Sequence, residues 1–217
     1  YVSSSTILNL QELAAANTAF QLKQLTGAYS GANTNLKWYN AGFNRINNAF
    51  SADSFSMIPA IGKDSFVARQ KFQADYITLK SGAIHISPLD IDGYIKNKTL
   101  NAGIVAIDKF HFTDFRDKQL PFNPGIIKPL TVNLIKKIPE KISVDTLLLS
   151  EAFVEYTETN EKTKAPGTIP ITRMNVRVLN TKNYNLSSTD SLSILASGYL
   201  MDTAWIQLRV KESYTDS

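Results

Sequence analysis

The dominant pattern in this chain is an alternation of apolar and polar residues with a period of two. In the segment Arg173–Leu179 the residues Met174, Val176 and Val178 alternate with polar side chains, and Trp205–Lys211 follows the same pattern. Pairs of turn-forming residues, most of them containing glycine, separate such segments. Strands of this type have one apolar face and one solvated face, and they usually pair antiparallel. The pattern therefore predicts a mainly β protein of about ten strands.

A ten-residue version of this pattern occurs twice, at Val105–Asp114 and at Ile142–Glu151. Both copies read apolar-x-apolar-Asp-x-apolar-x-apolar-hydroxyl-acid, which gives Asp108 and Asp145 equivalent positions, and Ile169–Val178 is a weaker third copy. Repeated strands of one design predict an extended, curved antiparallel sheet, or two packed sheets, built by repetition. The equivalent aspartates favour a structural role, such as a bulge or an edge contact.

Two segments depart from the alternation. One predicts a short amphipathic helix near 129–138, because prolines stand at both of its ends and its apolar residues have helical spacing. Those apolar residues are Leu130, Leu134, Ile135 and Ile138. The helix would lie in a linker, 128–140, between a first β region, 1–127, and a second, 141–217, unless the whole forms one continuous domain. The other segment, 8–25, is compatible with helix or strand, and we favour a strand.

The composition of the chain excludes several classes of functional site. The chain has 217 residues, 43% of them apolar and only 19% charged, with a net charge of +4 and no cysteine. Disulfides and thiolate metal sites are thereby excluded, and the charge is too small and scattered for a nucleic-acid protein. No apolar run is long enough for a membrane-spanning helix. The chain starts at Tyr1, which suggests a processed protein or a piece of a longer one, with a signal or anchor upstream.

Candidate catalytic chemistry is sparse. His85 and His111 stand at polar positions of alternating strands, so we expect both to be solvent-facing, and Asp114, Arg116 and Asp117 predict a salt bridge that stabilises a turn. The chain contains no nucleophile elbow, phosphate-binding glycine loop or zinc-binding helix motif. We therefore predict a protein that is not an enzyme and that needs no metal or cofactor.

Several apolar segments, each containing a few charged or turn-forming residues, follow one another in the last three quarters of the chain. They are Ile104–Phe110, Phe115–Lys118, Ile138–Asp145, Ala152–Glu158, Pro166–Ile169 and Leu200–Ile206. In this order and spacing the chain from about Phe55 onward resembles the AsmA-like proteins of the Gram-negative cell envelope. The resemblance implies an elongated, curved sheet with an apolar inner face, tethered to the inner membrane and projecting into the periplasm. It further implies a role in phospholipid transport or outer-membrane homeostasis, and no catalytic residue.

These observations predict a β-groove that binds or guides a phospholipid or another acyl-chain ligand. Its candidate lining residues are Phe110, Phe112, Leu147, Leu149, Met174, Val176, Ile206 and Leu208. Candidate headgroup contacts are Lys128, Lys136 and Lys137. Contact with the membrane would come from a segment outside this chain, in a periplasmic protein anchored to the inner membrane. The alternative is a closed β-sandwich that acts as a structural or adhesion module and binds a glycan or a protein partner.

Overall fold

The computed structural model describes residues 21–125 and 129–215, so the predictions for residues 8–20 and for Lys128 lie outside the described residues. The first six strands are β1 (Gln21–Ser30), β2 (Thr34–Asn44), β3 (Ala49–Ala52), β4 (Ser54–Pro59), β5 (Asp75–Ser81) and β6 (Ile84–Leu89). The other six are β7 (Thr99–Asp108), β8 (His111–Asp117), β9 (Lys141–Thr159), β10 (Pro166–Lys182), β11 (Ser191–Leu200) and β12 (Ala204–Ser213). The described residues also form three short helices, α1 (Lys63–Val67), α2 (Ile91–Asn97) and α3 (Thr131–Lys136).

All twelve strands belong to one sheet, which confirms the predicted fold class of an extended, mainly β protein. Strands β3 and β4 are collinear, because both pair antiparallel with β2. The next position holds β6, which pairs with β3, in line with β5, which pairs with β4. The position after that holds β7, which pairs with β6, in line with β8, which pairs with β5. The twelve strands therefore occupy nine positions across the sheet. The order is β1, β2, β3/β4, β6/β5, β7/β8, β9, β10, β11 and β12.

The sheet is antiparallel except at β9, which runs parallel to both β7 and β8. Thr99 lies opposite Lys141 and His111 lies opposite Phe153, a constant shift of 42 residues along the chain. The two sequence copies are 37 residues apart, so they do not lie opposite each other. The predicted equivalence of the two aspartates is therefore wrong: Asp108 lies opposite Ser150, while Asp145 is an exposed residue within β9.

A line of one-residue irregularities crosses the sheet from β1 to β10, and we call it the crease. Five of its residues have left-handed backbone angles with φ between 48° and 56°, and none of them is glycine: Gln24, Asn40, Lys109, Glu151 and Arg173. The register places each of them opposite the irregularity of its neighbour. An extra residue in one strand shifts the alternation of its side chains by one. Because the shift recurs in neighbouring strands, the pairing on both sides of the crease stays in step.

Hydrogen bonds along the crease hold the extra residues in place. The amide of Asn40 donates to the carboxylate of Asp53 at 2.6 Å, and the Ser150 hydroxyl donates to the Asp108 carboxylate at 3.1 Å. The backbone N–H of Lys109 donates to the carbonyl of Ser150 at 2.9 Å. A structural role at a bulge is thus confirmed for Asp108, which directly precedes a left-handed residue.

Two clusters of buried side chains lie where helices pack on the sheet. In the first, α2 adds Ile91 to a cluster built around Phe43, Leu89 and Ala102. In the second, Val132 of α3 packs against Leu192 and Tyr214, and all three are almost fully buried. Helix α3 confirms the predicted short helix, but its packed face differs from the predicted apolar stripe. Leu130, Leu134 and Ile138 are exposed, because the sheet lies under the Val132–Ile135 side of the helix.

Candidate functional site: the apolar face of the sheet

Four rows of apolar side chains cross the sheet from one edge to the other. Row 1 is Leu22, Phe43, Phe50, Ile86, Val105, Leu147, Val178, Ile194 and Val210. Row 2 is Leu25, Ala41, Ala52, Ile84, Ile107, Leu149, Val176, Ala196 and Leu208. Each row takes one residue from each of the nine strand positions, and side chains directly opposite on paired strands share a face.

The other two rows lie across the crease. Row 3 is Gly27, Trp38, Phe55, Ser81, Phe110, Ala152, Met174, Gly198 and Ile206. Row 4 is Tyr29, Leu36, Met57, Leu79, Phe112, Val154, Ile171, Leu200 and Ala204. Of the thirty-six positions in the four rows, Ser81 is the only polar one.

The rows on both sides of the crease lie on the same face. Strand β11 pairs with β12 over ten consecutive residues without an irregularity. Its residues Ile194, Ala196, Gly198 and Leu200 therefore point to one face, because side chains alternate along a regular strand. These four residues belong to rows 1, 2, 3 and 4, so all four rows form one apolar face.

Two glycines in row 3 are required by large neighbours. A side chain at Gly27 would place its Cβ 2.3 Å from Cζ2 of Trp38, and one at Gly198 would place it 2.8 Å from Cγ of Met174. Both distances are shorter than any contact between real atoms of this kind. Absence of a side chain at these positions lets Trp38 and Met174 lie flat across the adjacent strands, so the apolar face continues without a gap.

All eight residues predicted to line a groove lie on this face. Leu147 is in row 1, and Leu149, Val176 and Leu208 are in row 2. Met174 and Ile206 belong to row 3, Phe112 belongs to row 4, and the backbone hydrogen bond between Phe110 and Phe153 sets Phe110 beside Ala152 of row 3. The structure therefore brings together side chains that are 98 residues apart in sequence, from Phe110 to Leu208.

Strict alternation does not predict the first half of this face. Trp38, Ala41 and Phe43 are three and two residues apart rather than uniformly two, because Asn40 adds the extra residue of the crease. The same step of three separates Phe55 from Ala52. A search for a strict period of two stops at each such step. The signal that reveals these rows is a single step of three inside an otherwise alternating strand.

The apolar face crosses all nine strand positions of the sheet. Nine positions about 4.8 Å apart, and six residues of strand at about 3.4 Å each, give rows 1 to 4 a backbone footprint of roughly 800 Å². Both buried clusters lie at row 1. At the two edges of the sheet, Leu25, Tyr29 and Leu208 are 50%, 59% and 55% exposed.

Charged groups stand near two borders of the face. Lys136 and Lys137, two of the predicted headgroup contacts, lie at the C-terminal end of α3, which packs beside row 1. Beyond row 4, Asp114 lies opposite Tyr156. Burial and a hydrogen bond with Glu158 raise the pKa of Tyr156 to about 12. The hydroxyl of Tyr156 is therefore neutral, and this border presents hydrogen-bonding groups next to apolar side chains.

The remaining predicted polar residues have structural positions. His85 and His111 are exposed, as expected, and the His111 ring packs edge-on against Phe153. The predicted salt bridge within the Asp114–Asp117 turn is wrong, because Arg116 instead donates two hydrogen bonds of 2.6 Å to Asp75 on the neighbouring strand. Residues 21–125 and 129–215 contain no cluster of three side chains suited to hold a metal ion. None of the helices described here has the length and apolarity needed to cross a bilayer.

Comparison of the chain with protein-family models, with curated proteins and with solved structures found no match.

Proposed function

We propose that this protein binds or guides lipid on the apolar face of its sheet, as a non-enzymatic component of a bacterial cell envelope. The observation that carries the proposal is the continuity of rows 1 to 4 across all nine strand positions. Random surface exposure of apolar residues does not produce four parallel rows with one polar residue among thirty-six. A continuous apolar face of this kind favours an apolar ligand.

The chemistry of the face fits acyl chains. It offers aliphatic and aromatic side chains in four continuous rows, and its interior contains no charged group. Each methylene that an acyl chain buries on such a surface contributes about 0.8 kcal/mol. Binding of this kind needs neither a fixed geometry nor a polar partner, so it suits lipids that differ in chain length.

The borders of the face fit a headgroup. Lys136 and Lys137 at the end of α3 supply positive charge near row 1, and anionic headgroups are attracted to such clusters at about 1 kcal/mol per basic residue. A phospholipid would then lie with its chains over the rows and its headgroup at the α3 border. In keeping with the resemblance to AsmA-like proteins, we place the protein in the periplasm, anchored to the inner membrane by a segment outside this chain.

The closed β-sandwich is less well supported, because every strand of the described residues belongs to a single sheet. A sandwich needs a second sheet to cover the apolar face. A structural or adhesion role would therefore leave this face without an occupant.

The test is native mass spectrometry of the chain, gently purified from a bacterial envelope, followed by extraction and identification of bound molecules. We expect a mass increment that corresponds to phospholipid and disappears on delipidation. A clean unliganded mass, together with no uptake of phospholipid from added vesicles, would refute the proposal.

A further inference from the structure

The opposite face of the sheet carries a second feature, a hollow of about 650 Å³ over strands β9 to β12. It is centred on the backbone of row 2, and it is bordered by the residues immediately before and after each row 2 residue. Because side chains alternate along a strand, these bordering side chains point away from the apolar face. The hollow is therefore separate from the lipid site proposed above.

The two walls of the hollow differ in chemistry. One wall is the cross-strand row Leu148, Arg177, Leu195 and Arg209. The facing wall contains Ser150, Asn175, Ser197 and Gln207. Guanidinium groups thus stand across from amide and hydroxyl groups, and Leu195 lies between the two arginines.

The two arginines of this hollow make no ion pair with any described residue. Three of the other four arginines have partners: Arg45 pairs with Asp92, and Arg116 pairs with Asp75. Arg173 lies over the ring of Tyr199 at 4.0 Å. Arg177 and Arg209 instead stand on strands two positions apart, so their Cα atoms are about 10 Å apart. Lys211, two residues beyond Arg209, adds a third positive charge on the same face.

The chemistry of this arrangement suits a phosphate. A guanidinium group binds phosphate oxygens with two parallel hydrogen bonds, which a lysine does not reproduce. Two arginines on either side of Leu195 can hold one anion between them. The facing Asn175, Ser197 and Gln207 side chains offer donors and acceptors of the kind that bind hydroxyl groups, and within the described residues none of the three makes a hydrogen bond of its own.

We propose that the hollow between Arg177 and Arg209 binds a phosphate ester of a small polyol. The phosphate lies between the two guanidinium groups, and the polyol hydroxyls contact Asn175 and Gln207. This chemistry has two sources, a free polyol phosphate and the headgroup of a phospholipid. The proposal does not depend on the lipid site, because the two sites lie on opposite faces and share no side chain.

The experiment measures binding of two probes to the purified chain at low salt. Glycerol 3-phosphate is titrated by calorimetry, and vesicles of phosphatidylcholine with phosphatidylglycerol are tested by co-sedimentation. The variant is Arg177→Gln with Arg209→Gln. The matched control is Arg69→Gln, which removes an exposed arginine that also lacks an ion pair but lies outside the hollow. Circular dichroism and the thermal midpoint verify that each variant is folded.

We expect the double variant to lose at least tenfold in affinity, since each arginine supplies charged hydrogen bonds, and Arg69→Gln to bind like the unaltered chain. Loss for glycerol 3-phosphate identifies the soluble ester as sufficient, whereas loss for the vesicles alone identifies the lipid headgroup. As a second variant, Asn175→Leu should weaken glycerol 3-phosphate without changing the binding of inorganic phosphate. Unchanged binding in the double variant, or an equal loss in Arg69→Gln, would overturn the proposal.

Discussion

Replacing Val176 by aspartate puts a charge in the middle of the apolar face while leaving the sheet intact. Val176 lies in row 2 between Leu149 and Ala196, and it is only half-buried. The new carboxylate keeps its water, because it projects from the surface instead of into a closed core. We therefore expect Val176→Asp to fold and to lose lipid binding.

The size of the loss follows from the chain contacts. A hydrated carboxylate keeps about four methylenes away from the strands around it, and each contributes about 0.8 kcal/mol when buried. The loss is then about 3 kcal/mol, which corresponds to a roughly hundredfold weaker affinity. Val176→Ser removes the methyl groups without adding charge, and its loss should be much smaller.

The assay is transfer of pyrene-labelled phosphatidylcholine from vesicles to the chain, followed by fluorescence. Phosphatidylcholine is neutral overall, so a change in surface charge alone has little effect on it. The matched control is Ser193→Asp, which adds the same charge on the adjacent strand but on the opposite face, between Leu179 and Lys211. If Val176→Asp binds within threefold of the unaltered chain, or if Ser193→Asp loses as much affinity, the apolar face is not the lipid site.

Three further predictions concern stability. Lys109→Gly should raise the free energy of unfolding, measured in urea, by about 1 kcal/mol, because glycine adopts the left-handed backbone of the crease without strain. A free energy of unfolding equal to or below that of the unaltered chain would show that Lys109 is not strained there. The ion pair with Lys182 lowers the pKa of Asp190 to about 2 from an ordinary 3.8. The stability that the ionised Asp190 contributes is therefore complete above pH 3.8 and is lost as the pH falls toward 2. Asp190→Asn should therefore make the urea unfolding midpoint depend less on pH between pH 4 and 2, and an unchanged dependence on pH would contradict this. Tyr214→Phe should cost about 1–3 kcal/mol, because the buried hydroxyl of Tyr214 bonds two backbone groups of β10, the N–H of Lys182 and the carbonyl of Asn180; a thermal midpoint equal to that of the unaltered chain would refute it.

Local alternation was sufficient to predict the strands and much of the candidate site. Met174, Val176 and Val178 share a face because of their spacing alone, and the predicted lining residues from four separate strands lie on the same face. Proline spacing likewise predicted α3. Its packed side was not predictable, because the position of Leu192 and Tyr214, which lie 60 or more residues later in the chain, decides that Val132 is buried.

Two features depend on information that a local pattern does not contain. The parallel pairing of β9 with β7 joins strands that are separated in the chain by β8 and α3, so no local pattern indicates it, and the copies at 105 and 142 do not lie opposite each other. The crease could not be predicted from the sequence for a different reason. Its left-handed residues are Gln, Asn, Lys, Glu and Arg, and none of them is the glycine that normally marks such a conformation.

The single parallel junction also sets how this protein folds. On its C-terminal side, β9 to β12 each pair with the next strand along the chain and are assembled from local hairpins, whereas the pairings β3–β6 and β5–β8 on the other side join strands that are not consecutive. The two halves pair through β9, after a connection that spans residues 118–140 and includes α3. Joining them requires the closure of a long loop, which is slow compared with hairpin formation. The β9–β12 half should therefore form early from its hairpins, with docking of β9 on β7 and β8 as the late step that completes the rows and brings the full width of the apolar face into existence.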